Sequence, residues 1–408
     1  MKIKIKISSI YQIFFILLIL VNANIFLIKD WGFAFRIFSV LIVLVLFGIT
    51  LGLKKTIYLF KKYKFMFTWI LIFFLGMIIC MLYINSVYHT SYSYMISQIY
   101  HYLYILLFWP IIYYLETDKN HITKLIKTIL KTTVFVLLLK FLIWFFYNYL
   151  GLDIIHYMIL EGGEGWSRNG HQRLFLPVLL CFLVAYSTMK IFCEKGIRNK
   201  FVHVLLLCIS IAYIFVVYAT KAMVVILICT FASIWIFKNR DSTKKKLAII
   251  VLLIITIIAI YFGNIIELYI GSIDKWSIMC RQYALEYYMG LIKNYKLFGF
   301  SLVTESMELQ NGWGGNYYFS DLGIVSKFFE FGFWGIIFFV PIIRIIYLSL
   351  KTKFNYQNCK VFLIGLVVYV VASSIISNDI YLYRNMLSFP FVIGVIEYMN
   401  KYRDVRIL

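Results

Sequence analysis

Charge is scarce in this sequence. Only 14% of its 408 residues are Asp, Glu, Lys or Arg, and the acids number 18 against 40 Lys and Arg. With 63% hydrophobic residues, a mean hydropathy of +0.87 and 20% aromatics, the chain has too little polar surface to close around a water-soluble core. A bilayer must act as solvent for much of it. The period-2 alternation of barrel strands is missing, so the long apolar runs read as helices, the other backbone form that lipid tolerates. Internal repeats and low-complexity tracts are absent, which points to one polytopic domain over 1–408 with no soluble appendage. The seven cysteines (80, 181, 193, 208, 229, 280, 359) lack metal-type spacing and fall mostly inside apolar runs, so neither zinc nor a disulfide framework is expected. No metal or cofactor is assigned.

The fold class expected is an all-α polytopic membrane bundle with a large structured outward loop. Apolar runs long enough to span place about 12 transmembrane helices near 10–28, 37–53, 65–84, 99–115, 132–150, 174–190, 201–219, 222–237, 247–263, 333–350, 361–377 and 386–399. The first run follows a basic start, as a signal peptide would, but its length favours an uncleaved span. If Lys2, Lys4 and Lys6 are cytoplasmic, 27 Lys and Arg lie on inward segments, counting Lys190 at the inner end of its span, and 11 on outward ones. The positive-inside rule then sets both termini in the cytoplasm. Clusters such as Lys54, Lys55, Lys61, Lys62 and Lys64, or Lys244–Lys246, become topology anchors beside anionic lipid, and the net charge of +22 does not call for nucleic acid. Lys140 and Arg344 fall within spans and are expected to face the bundle interior or a cavity.

Chemistry concentrates in two outward loops, 151–173 and 264–332. In the first, Glu161, Glu164, Arg168, His171 and Arg173 lie among glycines. A solvated hairpin with weak surface ion pairs is the plain alternative. An outward Arg, however, owes nothing to the positive-inside bias, and its fork suits phosphate oxygens. Lys221, in the tight turn of "YATKAMVV", either snorkels or meets an anion. In the second loop Trp276, Met279, Tyr283, Tyr287 and Leu291 describe an amphipathic helix resting on the outer leaflet, with Arg281 between them.

The stretch "NGWGGNYYFSDLGIVSKFFEFGFWG" (311–335) gathers glycines with Trp313, Asn316, Tyr317 and Tyr318, which offer flat faces and amide contacts to sugar rings. An ordinary aromatic belt is the alternative. Segment 320–332 is expected to return into protein at membrane depth, with Asp321, Lys327 and Glu330 tolerable only along a wet cavity.

Arg281, Gly299, Asn316, Ser320-Asp321-Leu322-Gly323 and Gly332-Phe333-Trp334-Gly335, together with the two long outward loops and the basic turn Thr220-Lys221, resemble the Wzy-type polysaccharide polymerases. That superfamily also holds the O-antigen ligases. The resemblance implies a metal-independent glycosyltransferase at the outer face of a bacterial cytoplasmic membrane. Donor and acceptor would be oligosaccharides linked to undecaprenyl diphosphate, and the pathway often includes a separate co-polymerase that regulates chain length. A departing diphosphate needs fixed positive charge. Arg281 and Lys221 match basic family positions, with Arg168 and Arg173 beside them. Many members carry a His before the Asn that corresponds to Asn316; here Gly315 stands there. Asp321 is therefore the candidate base, followed by Glu305, Glu308 and His171. The catalytic set expected is Arg281, Asp321 and Lys221, with Arg168, His171, Arg173, Asn316, Trp313 and Tyr317 binding substrate. The competing readings are a ligase of the same superfamily and a lipid-linked oligosaccharide flippase or transporter.

Overall fold

The structure, a computed structural model, describes residues 7–23, 32–152, 167–168, 170–194, 196–220, 222–238, 275–304, 319–376 and 380–404. The helices are α1 (Ile7–Asn22), α2 (Gly32–Leu51), α3 (Thr56–Lys62), α4 (Lys64–Tyr88), α5 (Tyr92–Ile99), α6 (Phe108–Thr117) and α7 (His121–Leu150). A two-residue ribbon, β1 (Ser167–Arg168) with β2 (His171–Gln172), follows and is the only strand pairing among the described residues. Then come α8 (Leu180–Cys193), α9 (Ile197–Ala212), α10 (Ala222–Phe237), α11 (Lys275–Leu291), α12 (Ser326–Phe331), α13 (Phe339–Lys351), α14 (Gln357–Ile376) and α15 (Ser388–Lys401). Tighter turns join α5 to α6 through Tyr100–Leu107 and flank α12 through Phe319–Val325 and Gly332–Phe338.

The interior helices are recognisable by composition. Every residue from Cys359 to Ser374 in α14 and from Met386 to Met399 around α15 is buried, as expected for helices that are apolar on all sides. Outer helices show the reverse. On α4, Leu71, Leu75, Ile78, Ile79 and Leu82 recur at helical spacing and remain exposed; α2 does the same with Leu41 and Val45, and α9 with Phe201, Val202 and Leu205. Exposed aliphatic stripes of this length are unfavourable in water and favourable against acyl chains. The protein is a membrane-embedded helical bundle.

Seven helices among the described residues are long and apolar enough to cross a bilayer, where the sequence leads one to expect twelve spans. The segments near 10–28, 174–190 and 222–237 form shorter apolar helices, the one near 386–399 is the fourteen-residue α15, and 247–263 lies outside the described residues. Both mid-span cations have interior partners. Arg344 donates to Glu397 through Nε at 2.9 Å and a terminal nitrogen at 3.4 Å, and its guanidinium lies 4.5 Å from the Phe65 ring centre. Lys140 is buried and its Nζ reaches the Phe175 carbonyl at 3.3 Å.

Candidate functional site at the third-loop face

The end of the third loop is a strap fastened at almost every residue. Gly170 turns the chain with φ 78°, so that Arg168 pairs with His171 and Ser167 with Gln172. The Gln172 backbone is then clamped to α7: its N–H donates to Asn148 Oδ1 at 2.8 Å, and its carbonyl accepts from Trp144 Nε1 at 2.7 Å. His171 stacks on Tyr149 with ring centres 5.2 Å apart. This packing, which restrains the imidazole between α7 aromatics, could not be read from the loop's own sequence.

Arg173 binds the strap to the tight turn after α9. Its Nε donates to the Tyr218 carbonyl at 2.8 Å and a terminal nitrogen donates to Thr220 Oγ1 at 2.7 Å. The turn is unusual in two ways. Residues Tyr213–Val217 form a π-helical segment, and Ala219 takes φ 49°, a left-handed conformation rare for a residue with a Cβ. Lys221 itself lies outside the described residues, but its neighbour Thr220 is thereby fixed to Arg173. The end of the third loop thus meets the residue that precedes Lys221 in the chain.

Two further cations stand beside this strap. Arg384 lies 3.7 Å from the Phe175 ring centre and also faces Tyr383, to whose hydroxyl its Nε donates; Arg36 of α2 lies 4.6 Å from the opposite partner in this group, the same Tyr383 ring. Around them Asn22, Ser39, His101 and Tyr104 line a narrow cleft, where Tyr104 donates to Asn22 Oδ1 at 2.9 Å and bonds Ser39. The cleft encloses about 20 Å³, room for a single water. Two guanidinium groups on one phenol ring concentrate positive charge beside the strap. Sequence reasoning passed over Arg36, Arg384 and Tyr383. The signal was available, since in the topology expected from the sequence both arginines fall on short outward segments, where the positive-inside bias offers no reason for them.

The exit of the fifth loop forms a second group. The turn Phe319–Val325 carries Asp321 and packs on α11, which carries Arg281; Ala284 and Tyr288 of α11 meet Phe300, Leu322 and Phe329 in one buried cluster. The elements that carry Asp321 and Arg281 are therefore packed together. The structure describes the backbone of Arg168, Arg281 and Asp321. Trp313, Asn316, Tyr317, Glu305 and Glu308 lie outside the described residues.

α11 meets protein through Ala284 and Tyr288, with Tyr287 and Leu291 partly buried against the same cluster, while Tyr283 is exposed. One expectation for this region needs correction. Lys327 and Glu330, expected along a wet cavity, instead close on each other. Both Glu330 oxygens lie 2.8 Å from Lys327 Nζ, Ser326 Oγ approaches the same carboxylate at 3.4 Å, and both charged residues are buried. A bidentate pair one turn apart satisfies the charges without solvent.

The quoted glycines pack backbone against backbone. Gly323 has φ 57°, and a Cβ there would sit 2.4 Å from the Ser374 carbonyl of α14; Gly332 has φ 58°, and its Cβ would meet the Lys296 carbonyl at 2.5 Å. The C-terminal end of α14 serves both groups. Ser374 touches Gly323, while its neighbour Ser373 lines a small cavity with Leu176 and Pro177 of the strap. No protein-family model matches this chain, and no curated protein matches it.

Proposed function

We propose that this chain is an oligosaccharide repeat-unit polymerase of the Wzy kind. It transfers a glycan from polyprenyl diphosphate to a lipid-linked acceptor at the outer face of the bacterial cytoplasmic membrane. The proposal includes twelve spans and cytoplasmic termini. The acceptor hydroxyl oxygen attacks the anomeric carbon, the bond from that carbon to the diphosphate oxygen breaks, and the electron pair leaves with the lipid diphosphate. The hydroxyl proton passes to a carboxylate, for which Asp321 is the candidate. Arg173, Arg384 and Arg36, with Lys221 and Arg281, supply positive charge to the leaving group.

The observation that carries this reading is Arg173 bound to Thr220 beside Lys221, with the Arg384 and Arg36 pair next to the same strap. Cations restrained by aromatic rings and backbone carbonyls pay little reorganisation when charge develops. The test is expression in a cell whose surface polysaccharide depends on this chain. Alanine at Arg281 or Asp321 should leave the protein in the membrane and abolish long-chain product on a gel. Normal chain length with both residues replaced would refute the assignment, and glycan on a new class of acceptor would mark a ligase.

A further inference from the structure

On the face opposite the third loop, three helix ends surround one hollow. α7 and α14 begin there and α15 ends there. The cavity between them measures about 1160 Å³ and is lined by Lys119, Lys124, Lys127, Lys401 and Arg403, among other residues. One carboxylate lines it, that of Asp404, and Asn355 Nδ2 donates to that group. Among the described residues none of the five cations forms an ion pair with a carboxylate.

The positions of these cations are unfavourable in the protein alone. A helix N-terminus carries partial positive charge and prefers acids in its first turn. α7 has no acid in its first turn. Asp118, just before the helix, accepts from the Asn120 N–H and lies near Lys124, but Lys124 and Lys127 still stand three residues apart on the first two turns, where like charges repel. α14 likewise has no acid in its first turn. Two positive helix ends and five cations around an open hollow are a strong attraction for a polyanion. Tyr356, Tyr398 and Tyr402 also line it, and aromatic phenols belong to the headgroup level of a bilayer. α7 continues from this hollow into a thirty-residue apolar helix, so the opening lies at the membrane surface.

We infer that this hollow binds the phosphate headgroup of an anionic membrane lipid. The ligand chemistry is a phosphate ester recognised by lysine and arginine donors, and the surrounding bilayer supplies it at high local concentration. The site is independent of the glycan-transfer reading and stands on the opposite face.

The full chain in neutral detergent tests this by its thermal midpoint, followed by tryptophan fluorescence during titration with phosphatidylglycerol or phosphatidylcholine. Saturable stabilisation by phosphatidylglycerol alone is expected. The variant Lys119→Gln/Lys124→Gln/Lys401→Gln should weaken the apparent affinity by about a hundredfold, and Lys124→Gln alone by about fivefold. A control variant, Lys293→Gln/Lys296→Gln, removes two exposed cations outside the hollow and should titrate like the wild type. Equal stabilisation by both lipids, equal weakening in the control, or unchanged binding in both hollow variants would overturn the inference. So would full stabilisation by inorganic phosphate or pyrophosphate without lipid, which would identify a soluble phosphate site instead.

Discussion

Arg173 fixes the turn at Tyr218 and Thr220 with its fork, on the same strap whose Phe175 ring carries Arg384. Lysine can keep the charge but not both hydrogen bonds. In the glycan-transfer account Arg173→Lys should therefore lose nearly as much turnover as Arg173→Ala, about a hundredfold, in an elongation assay on reconstituted protein. A variant with near-normal turnover would assign Arg173 to generic surface charge. The Arg344–Glu397 pair makes a contrasting case, because it joins α13 to α15 far from any loop. Glu397 is buried, so Glu397→Gln leaves a guanidinium poorly compensated and should lower stability by about 3 kcal/mol. Replacing both residues with Met should restore most of the loss, as read from thermal midpoints in detergent. Of these side chains, the sequence marked Arg173 and Arg344 as unusual. It could not reveal Tyr218, Thr220 or Glu397 as partners, because those contacts join residues more than forty positions apart.

At the scale of elements, the return of the chain through Phe319–Phe338 depends on close backbone approach. Gly323→Ala would force a methyl group into the Ser374 carbonyl while also straining a positive φ. It should reduce the folded fraction recovered from membranes, whereas Gly196→Ala, at a position open to solvent, should not. Fluorescence-detected size exclusion of the two variants checks this. The motif around Gly323 was legible in the sequence, but its packing role was not, since α14 lies fifty residues further on. On α11 apolar residues occur on both sides of the helix, and periodicity marked the stripe containing exposed Tyr283 while Ala284 and Tyr288, which meet protein, gave no signal of their own.

Another element junction has a pH signature. Glu116, at the end of α6, accepts from Tyr63 at 2.7 Å, Tyr402 at 2.7 Å and Lys62 at 2.8 Å, tying the α3–α4 corner to the end of α15. Burial and the Glu116 carboxylate raise the Tyr63 phenol well above its ordinary 10.0. Burial alone would lower Lys62, but its bonds to Glu116 and Tyr402 outweigh that and raise it above 10.5. Both folded-state values exceed the unfolded ones. The stability they contribute is therefore complete below about pH 10 and is lost as pH climbs through the raised values. Glu116→Gln should flatten this alkaline loss in a thermal-midpoint titration, and an unchanged alkaline edge would contradict the assigned network.

For the whole molecule, the surface divides into lipid-facing stripes, a third-loop face with restrained cations, and an opposite face with a basic hollow. The membrane class was legible from composition because 63% apolar residues admit few other solutions. Span boundaries were less so, since α7 extends eleven residues before the segment expected at 132–150 and α15 is only fourteen residues long. Buried polar caps and paired charges let helices begin and end inside protein, where hydropathy sees a continuous run. If the third-loop face is outward, single cysteines at Leu152 and Asn358 in a background lacking native cysteines should react oppositely with an impermeant maleimide applied to intact cells. Leu152→Cys should label and Asn358→Cys should not.

The most direct test is elongation of a purified lipid-diphosphate-linked repeat unit by the reconstituted protein. The account predicts a ladder of longer lipid-linked glycans from the wild type, and its loss in Arg173→Ala/Arg384→Ala with the folded fraction unchanged. An undiminished ladder from that double variant would contradict the claim that this cation group stabilises the departing diphosphate.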